Sequence, residues 1–155
     1  MPSVRLIRRA RPDEAEAISA LAQASKAVWD YTPEQPAVFA GELTLHPDAI
    51  EPAHTHVLAD AQGELLGFHS FAFRPDGRLE LEHLFVAATR LREGLGPRLL
   101  RSAQEAAANL GYGSFVIQSD PNAEGFYLVE GGRLLERVPS SIPGRFIPVL
   151  ELTTG

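Results

Sequence analysis

The chain of 155 residues contains no cysteine. Disulfides, thiolate-ligated metal centres and a cysteine nucleophile are therefore excluded. Lysine is almost as scarce: Lys26 is the only one among 14 basic residues, a bias that composition of the genome explains without any function. Positive charge is in deficit, with 14 Lys and Arg against 20 Asp and Glu and a net charge of −6. Such a surface repels a phosphate backbone, so no nucleic-acid partner is expected, and a cationic one is mildly favoured. No apolar run is long enough to span a membrane, so no membrane partner is expected. The first ten residues lack the apolar stretch of a signal peptide, which makes a cytoplasmic location the expectation. There is no internal repeat, low-complexity tract or linker. With 45% hydrophobic and 22% charged residues, the chain reads as a single domain, 1–155, large enough for a packed core.

What is present is a regular alternation of patterns. Val4 to Ile7 reads as a first strand, and Pro12 opens a helix whose first turn carries Asp13, Glu14 and Glu16. A second helix is expected over Pro36 to Leu45. Thr55 to Ala59, Leu65 to Phe73 and Leu79 to Val86 read as a meander, with turns at Asp60 to Gly63 and Arg74 to Gly77. A long helix follows from Leu95 to Leu110, closed by Gly111. Ser114 to Gln118 is a strand, Ala123 to Glu130 a helix, and Leu134 to Val138 and Phe146 to Leu152 are strands. This order describes an α/β or α+β sheet with helices on its faces.

The most informative segment is Leu84 to Leu100, where an apolar strand runs through an arginine-flanked, glycine-bearing turn into a helix. The first amides of a helix have no internal partners, and Gly94 and Gly96 allow close approach, so the turn can cradle phosphates. Pro97 suits the first helical turn but removes one possible donor. Arg90, Arg92 and Arg98 can add charge-assisted bonds, whereas the carboxylate of Glu93 must turn away from a bound anion. No Gly-Lys-Ser/Thr follows the glycines, which disfavours a generic nucleotide site.

A second segment, Asp120 to Tyr127, reads Asp-Pro-Asn-Ala-Glu-Gly-Phe-Tyr and follows the strand Ser114 to Gln118. Together the two segments resemble the GNAT superfamily of acyl-CoA N-acyltransferases. The first matches its Arg/Gln-x-x-Gly-x-Gly/Ala turn, with Leu91 where the pattern has Arg or Gln. The second matches its Asn-Ala-x-x-Phe-Tyr stretch at Asn122, Ala123, Phe126 and Tyr127, with Gly131 and Gly132 in the turn beyond. The resemblance implies a mixed, mostly antiparallel, splayed sheet of about seven strands flanked by about four helices. It implies acetyl-CoA as co-substrate, contacted by Leu84, Phe85 and Val86 on the strand. Arg92, Glu93, Gly94, Leu95, Gly96 and Arg98 in the cradle, and Asn122, complete that set. Transfer of acetyl to a primary amine follows, by direct attack in a ternary complex, since no cysteine can carry the acyl group.

An amine with a pKa of ~10.4 must lose its proton to attack, which costs roughly 4–5 kcal/mol near pH 7, so a base is useful and the departing thiolate needs an acid. The resemblance gives the acid role to Tyr127. Glu82, Glu80 and His83 are the candidate bases, ranked in that order. Simple alternation puts Glu80 and Glu82 on one face and His83 on the other, but the resemblance implies a bulge in this strand, which breaks that parity. Trp29 and Tyr31, with Ser25 and Lys26, and Arg145 in the final loop are candidate acceptor contacts. The acceptor is expected to be a small-molecule amine, with a protein amine as the other possibility, and a homodimer through the terminal strands is compatible. His54 and His56 have metal-binding spacing but lack further ligands, so no metal is expected. His46 and His69 carry no signal. The alternative reading is an acyl-CoA-binding sensor or partner domain without turnover, which the weakened cradle at Leu91 and Pro97 permits.

Overall fold

A computed structural model describes residues 5–27, 44–90, 92–119, 123–140 and 143–154. Strand β1 (Arg5–Arg9) leads through a tight turn at Pro12–Glu14 into helix α1 (Ala15–Ala27). Strands β2 (His56–Asp60), β3 (Leu65–Phe73) and β4 (Leu79–Val86) follow, then helix α2 (Leu95–Asn109), strand β5 (Ser114–Gln118), helix α3 (Glu124–Val129), and strands β6 (Arg133–Pro139) and β7 (Phe146–Thr153). The seven strands form one sheet in the order β1-β2-β3-β4-β5-β7-β6. Pairing is antiparallel at β1–β2, β2–β3, β5–β7 and β6–β7, and parallel at β4–β5, where Glu80 stands opposite Val116. Three helices are present among the described residues where about four were expected. The helix expected over 36–45 falls mainly outside those residues; Thr44 and Leu45, the described part of that stretch, are not helical.

Contacts gather into two units. In the first, Met1–Ser70 with His83–Leu100, the core holds Leu58, Leu66, Leu95 and Leu99, with Ile7, Leu84 and Val86 packed against it. Each fully buried leucine contributes ~1.5–3 kcal/mol. Leu95 and Leu99 are four residues apart and share the inner face of α2. At Gly67 an added Cβ would stand 2.6 Å from Leu99 Cδ1 and 2.8 Å from the Phe85 carbonyl oxygen. The glycine is therefore a close-approach residue within a strand. The start of α1 is fixed by Glu14, which receives both Arg8 guanidinium nitrogens at 2.9 and 2.7 Å and the Arg11 amide at 2.9 Å. These bonds, the Arg8 pair first, hold its carboxyl down to about 2.

In the second unit, Phe71–Glu82 with Arg101–Gly155, Phe71 meets Phe115 edge-on (6.2 Å, 73°), with Leu79, Leu81, Val116, Ile117 and Leu150 buried around them. The β3–β4 turn closes with the Arg74 amide donating to the Arg78 carbonyl (2.9 Å) and Gly77 at φ 88°. At the other end of this hairpin the Ala87 amide donates to the Leu66 carbonyl (2.8 Å). Between those two bonds β4 carries one residue more than β3. The strand is therefore bulged, and the simple alternation of its side chains is interrupted.

Candidate active site

Beyond Val86 the chain makes a short 3-10 turn at Ala88–Arg90 and reaches α2 through two left-handed residues, Arg92 (φ 68°) and Gly94 (φ 75°). Gly94 takes this conformation without strain, whereas arginine does not. A Cβ placed on Gly94 would meet no atom within 4 Å, so the space above the turn is open. Leu95 anchors the helix start in the core (3% exposed), leaving the first amides of α2 facing that turn.

The charges around the turn are already arranged. Glu93 is paired with Arg5 and lies 3.9 Å from Arg90. Arg90 also reaches Glu64 at 3.2 Å. Arg98 donates to the Arg5 carbonyl at 2.8 Å. Arg92 is exposed, and its guanidinium pairs with no carboxylate among the described residues. Of Arg90, Arg92 and Arg98, it alone makes no side-chain hydrogen bond or ion pair among the described residues. An open glycine turn, a helix start and that cation together suit a pyrophosphate. Leu84 and Val86 pack into the core, and Phe85 stacks beside Phe68 (5.8 Å).

Glu80 is half-buried, with Arg74 3.5 Å away. Burial raises its carboxyl above the ordinary range and Arg74 opposes that rise. Glu82 is exposed by surface area, yet partial desolvation and then the charge of Glu80 hold its carboxyl raised as well. His83 is half-buried beside Phe68 and Phe85, and its Nδ1 lies 2.9 Å from the buried Ser70 hydroxyl. Burial, followed by the charge of Lys26, lowers this imidazole to about 4. Ser70 escaped the sequence reading because its partner is fixed only by the bulged register of β3 and β4.

Tyr127 is buried on α3 (6% exposed), its ring edge-on to Phe126 at 5.0 Å. Burial raises its phenol well above the usual value, so it is protonated at neutral pH. Its hydroxyl makes no hydrogen bond among the described residues, while its carbonyl accepts from the Gly132 amide at 2.8 Å. Arg145 is half-buried, and its carbonyl closes the final loop by accepting from the Ser140 amide at 3.0 Å. Trp29, Tyr31 and Asn122 lie outside the described residues, as does Leu91. The His-x-His pair is engaged locally. His54 Nδ1 accepts from Arg9 (2.9 Å), and His56 donates from Nδ1 to the His54 carbonyl (3.0 Å) while stacking on His69 at 5.0 Å.

Solved structures share this fold along the whole chain. A GCN5-related N-acetyltransferase from Rhodopseudomonas palustris (also described as a class-II aminotransferase) is 21% identical, with a TM-score of 0.79 over 99% of this chain and 98% of that one. The PaiA N-acetyltransferase of Thermoplasma acidophilum, solved in complex with coenzyme A, is 15% identical, with a TM-score of 0.75 over 97% and 99%. Nourseothricin acetyltransferase is 18% identical, with a TM-score of 0.71 over 97% and 99%. No curated protein matches the chain in sequence. The sequence profile of the acetyltransferase (GNAT) family matches residues 16–129, most of the chain and both segments that carry the glycine turn and the Phe-Tyr pair. The chain therefore belongs to the GNAT family of acetyltransferases.

Proposed function

We propose that this protein transfers acetyl from acetyl-CoA to a primary amine, by direct attack in a ternary complex. The observation that carries the reading is the open left-handed turn at Arg92 and Gly94 ahead of α2, with the Arg92 guanidinium unpaired among the described residues. Such a turn suits the pyrophosphate of a CoA thioester, and a coenzyme A complex is known for the similar Thermoplasma protein. The first amides of α2 and Arg92 hold the phosphates, while Leu84, Phe85 and Val86 line the acyl-bearing arm. Tyr127, kept protonated by burial, is the hydroxyl that supplies a proton to the departing sulfur. A small-molecule amine is the favoured acceptor over a protein amine. The absence of cysteine supports transfer without an acyl-enzyme.

The test is thiol release from acetyl-CoA against a panel of amines, with Tyr127→Phe as control. Acceptor-dependent release that falls in the variant supports the reading. Failure of the native protein to bind acetyl-CoA overturns it. Binding without turnover by any amine favours the sensor alternative.

A further inference from the structure

Ser70 and His83 form a polar pair for which phosphate binding and thiol protonation have no use. Ser70 on β3 is 1% exposed, and its hydroxyl oxygen lies 2.9 Å from His83 Nδ1 on β4. Among the described residues that hydroxyl has no other hydrogen-bond partner. The imidazole forms a cluster with Phe68 and Phe85, and Lys26 of α1 is the charge that acts on it. A serine hydroxyl has one proton to give, and a neutral imidazole has one bare nitrogen to take it. If Nδ1 carried the ring proton, the Ser70 O–H would be buried with nothing to donate to. Either tautomer leaves one donor without a partner among the described residues, the Ser70 O–H or the Nε2–H. Ser70 is 1% exposed whereas His83 is half-buried and its Nε2 is not fully enclosed, so the Nε2–H is the donor that can be left over at lower cost. Ser70 therefore donates, Nδ1 accepts, and the ring proton resides on Nε2.

We propose that His83 serves acyl transfer as a neutral hydrogen-bond donor through its Nε2–H, with Ser70 as the positioning residue that fixes this tautomer. The inference rests on the N-acetyltransferase reading above. It also separates His83 from the candidate bases, since this tautomer has no free lone pair to offer an ammonium group. His83 directly precedes Leu84 on the strand assigned to the acyl-bearing arm, and stands roughly 10 Å back from Val86 at about 3.3 Å per residue. As the amine lone pair forms the C–N bond at the thioester carbon, the carbonyl π pair moves onto oxygen. The Nε2–H binds that oxygen and keeps its proton, as preorganised donors do. The pair then returns, the C–S bond breaks and sulfur leaves with its electrons. The proton lost from nitrogen balances the one sulfur gains. Burial and Lys26 both oppose protonation of the ring, so it remains neutral at physiological pH, the state in which it can donate without becoming an acid.

Long-range proton–nitrogen correlation on 15N-histidine-labelled native protein tests the tautomer directly, with His83 assigned by its disappearance in His83→Gln. The expected result is a bare Nδ1 and a protonated Nε2 between about pH 6 and pH 8, with a mixture of tautomers in Ser70→Ala. In turnover, His83→Gln, whose amide can donate, retains most of kcat. His83→Leu loses on the order of 10²-fold in kcat at unchanged KM for acetyl-CoA. A bare Nε2 in the native protein overturns the inference. So does native kcat in His83→Leu, which leaves the transferase reading standing. A native protein that acetylates no amine overturns that wider reading, and the role of His83 with it.

Discussion

The amide of Gly132 donates to the carbonyl of Tyr127 at 2.8 Å, and a Cβ on Gly132 would lie 2.7 Å from that same oxygen. The turn after α3 is thus closed onto the residue assigned the acid role, and only a glycine fits there. Both atoms in conflict are backbone or bonded to it, so neither can rotate away. Gly132→Ala is expected to destabilise the protein by about 1–3 kcal/mol. It should also lower kcat by moving Tyr127. Thermal unfolding and thiol release check the two effects.

Removing only the Tyr127 hydroxyl should have a different signature. That group makes no hydrogen bond among the described residues, so Tyr127→Phe leaves packing and hydrogen bonding intact. The midpoint of unfolding should stay within about 0.5 kcal/mol of native. Turnover is expected to fall about 10²-fold, the lower end for loss of a general acid. A stable variant with native turnover would remove Tyr127 from the reaction.

Arg92 and Gly94 should respond in opposite ways. Both are left-handed, and Gly94 has open space above it. Gly94→Ala meets no atom but must adopt a backbone that alanine resists, at a cost of about 1–2 kcal/mol. Arg92→Gly relieves a similar strain while deleting the cation. We expect Arg92→Gly to be as stable as native or more so, yet to bind acetyl-CoA several-fold more weakly. Calorimetric titration beside a melting curve separates the two.

Acid stability is set by histidines before carboxylates. His69 is fully buried, and its imidazole is lowered from 6.5 to about 3, first by burial and then by His56. His83 is lowered to about 4. Between these values and 6.5 the unfolded chain binds protons that the folded chain refuses, so stability is present above pH 6.5 and is lost as pH falls below it. Glu14 adds its own loss only below 4.5, toward about 2. Urea unfolding should therefore weaken already between pH 6.5 and pH 5. His69→Gln should flatten that slope by about 1.4 kcal/mol per pH unit. An unchanged slope would contradict the burial argument.

The elements bounded by strong punctuation were legible from sequence. β3 and β4 begin and end at the expected residues because Asp60, Gly63, Arg74 and Gly77 fix the turns, and β5 does so after the helix end at Gly111. The start of α2 follows from Gly94 and Pro97. Pairs made across strands were not legible. Ser70 meets His83 only because β4 holds one extra residue, and no pattern within either strand announces where that residue sits. The commitment of Arg90, Arg98 and Glu93 depends on β1 and on the β2–β3 turn, far away in sequence. Gly67 carried a usable signal, a glycine inside a strand, that was not turned into a close approach of β4 and α2.

The attachments of Arg5 give the cradle a dependence on a distant part of the chain. Its guanidinium holds Glu93 and its carbonyl holds Arg98. Were β1 to loosen, the carboxylate of Glu93 would be released beside the turn proposed to receive phosphate, and Arg98 would be set free to compete for it. The first strand thus braces, through Glu93 and Arg98, a turn with which it shares no residue. On the proposed reading, a fusion, a cleavage or a partner that disturbs β1 would be felt as a change in acetyl-CoA affinity, with every residue of the turn itself unaltered.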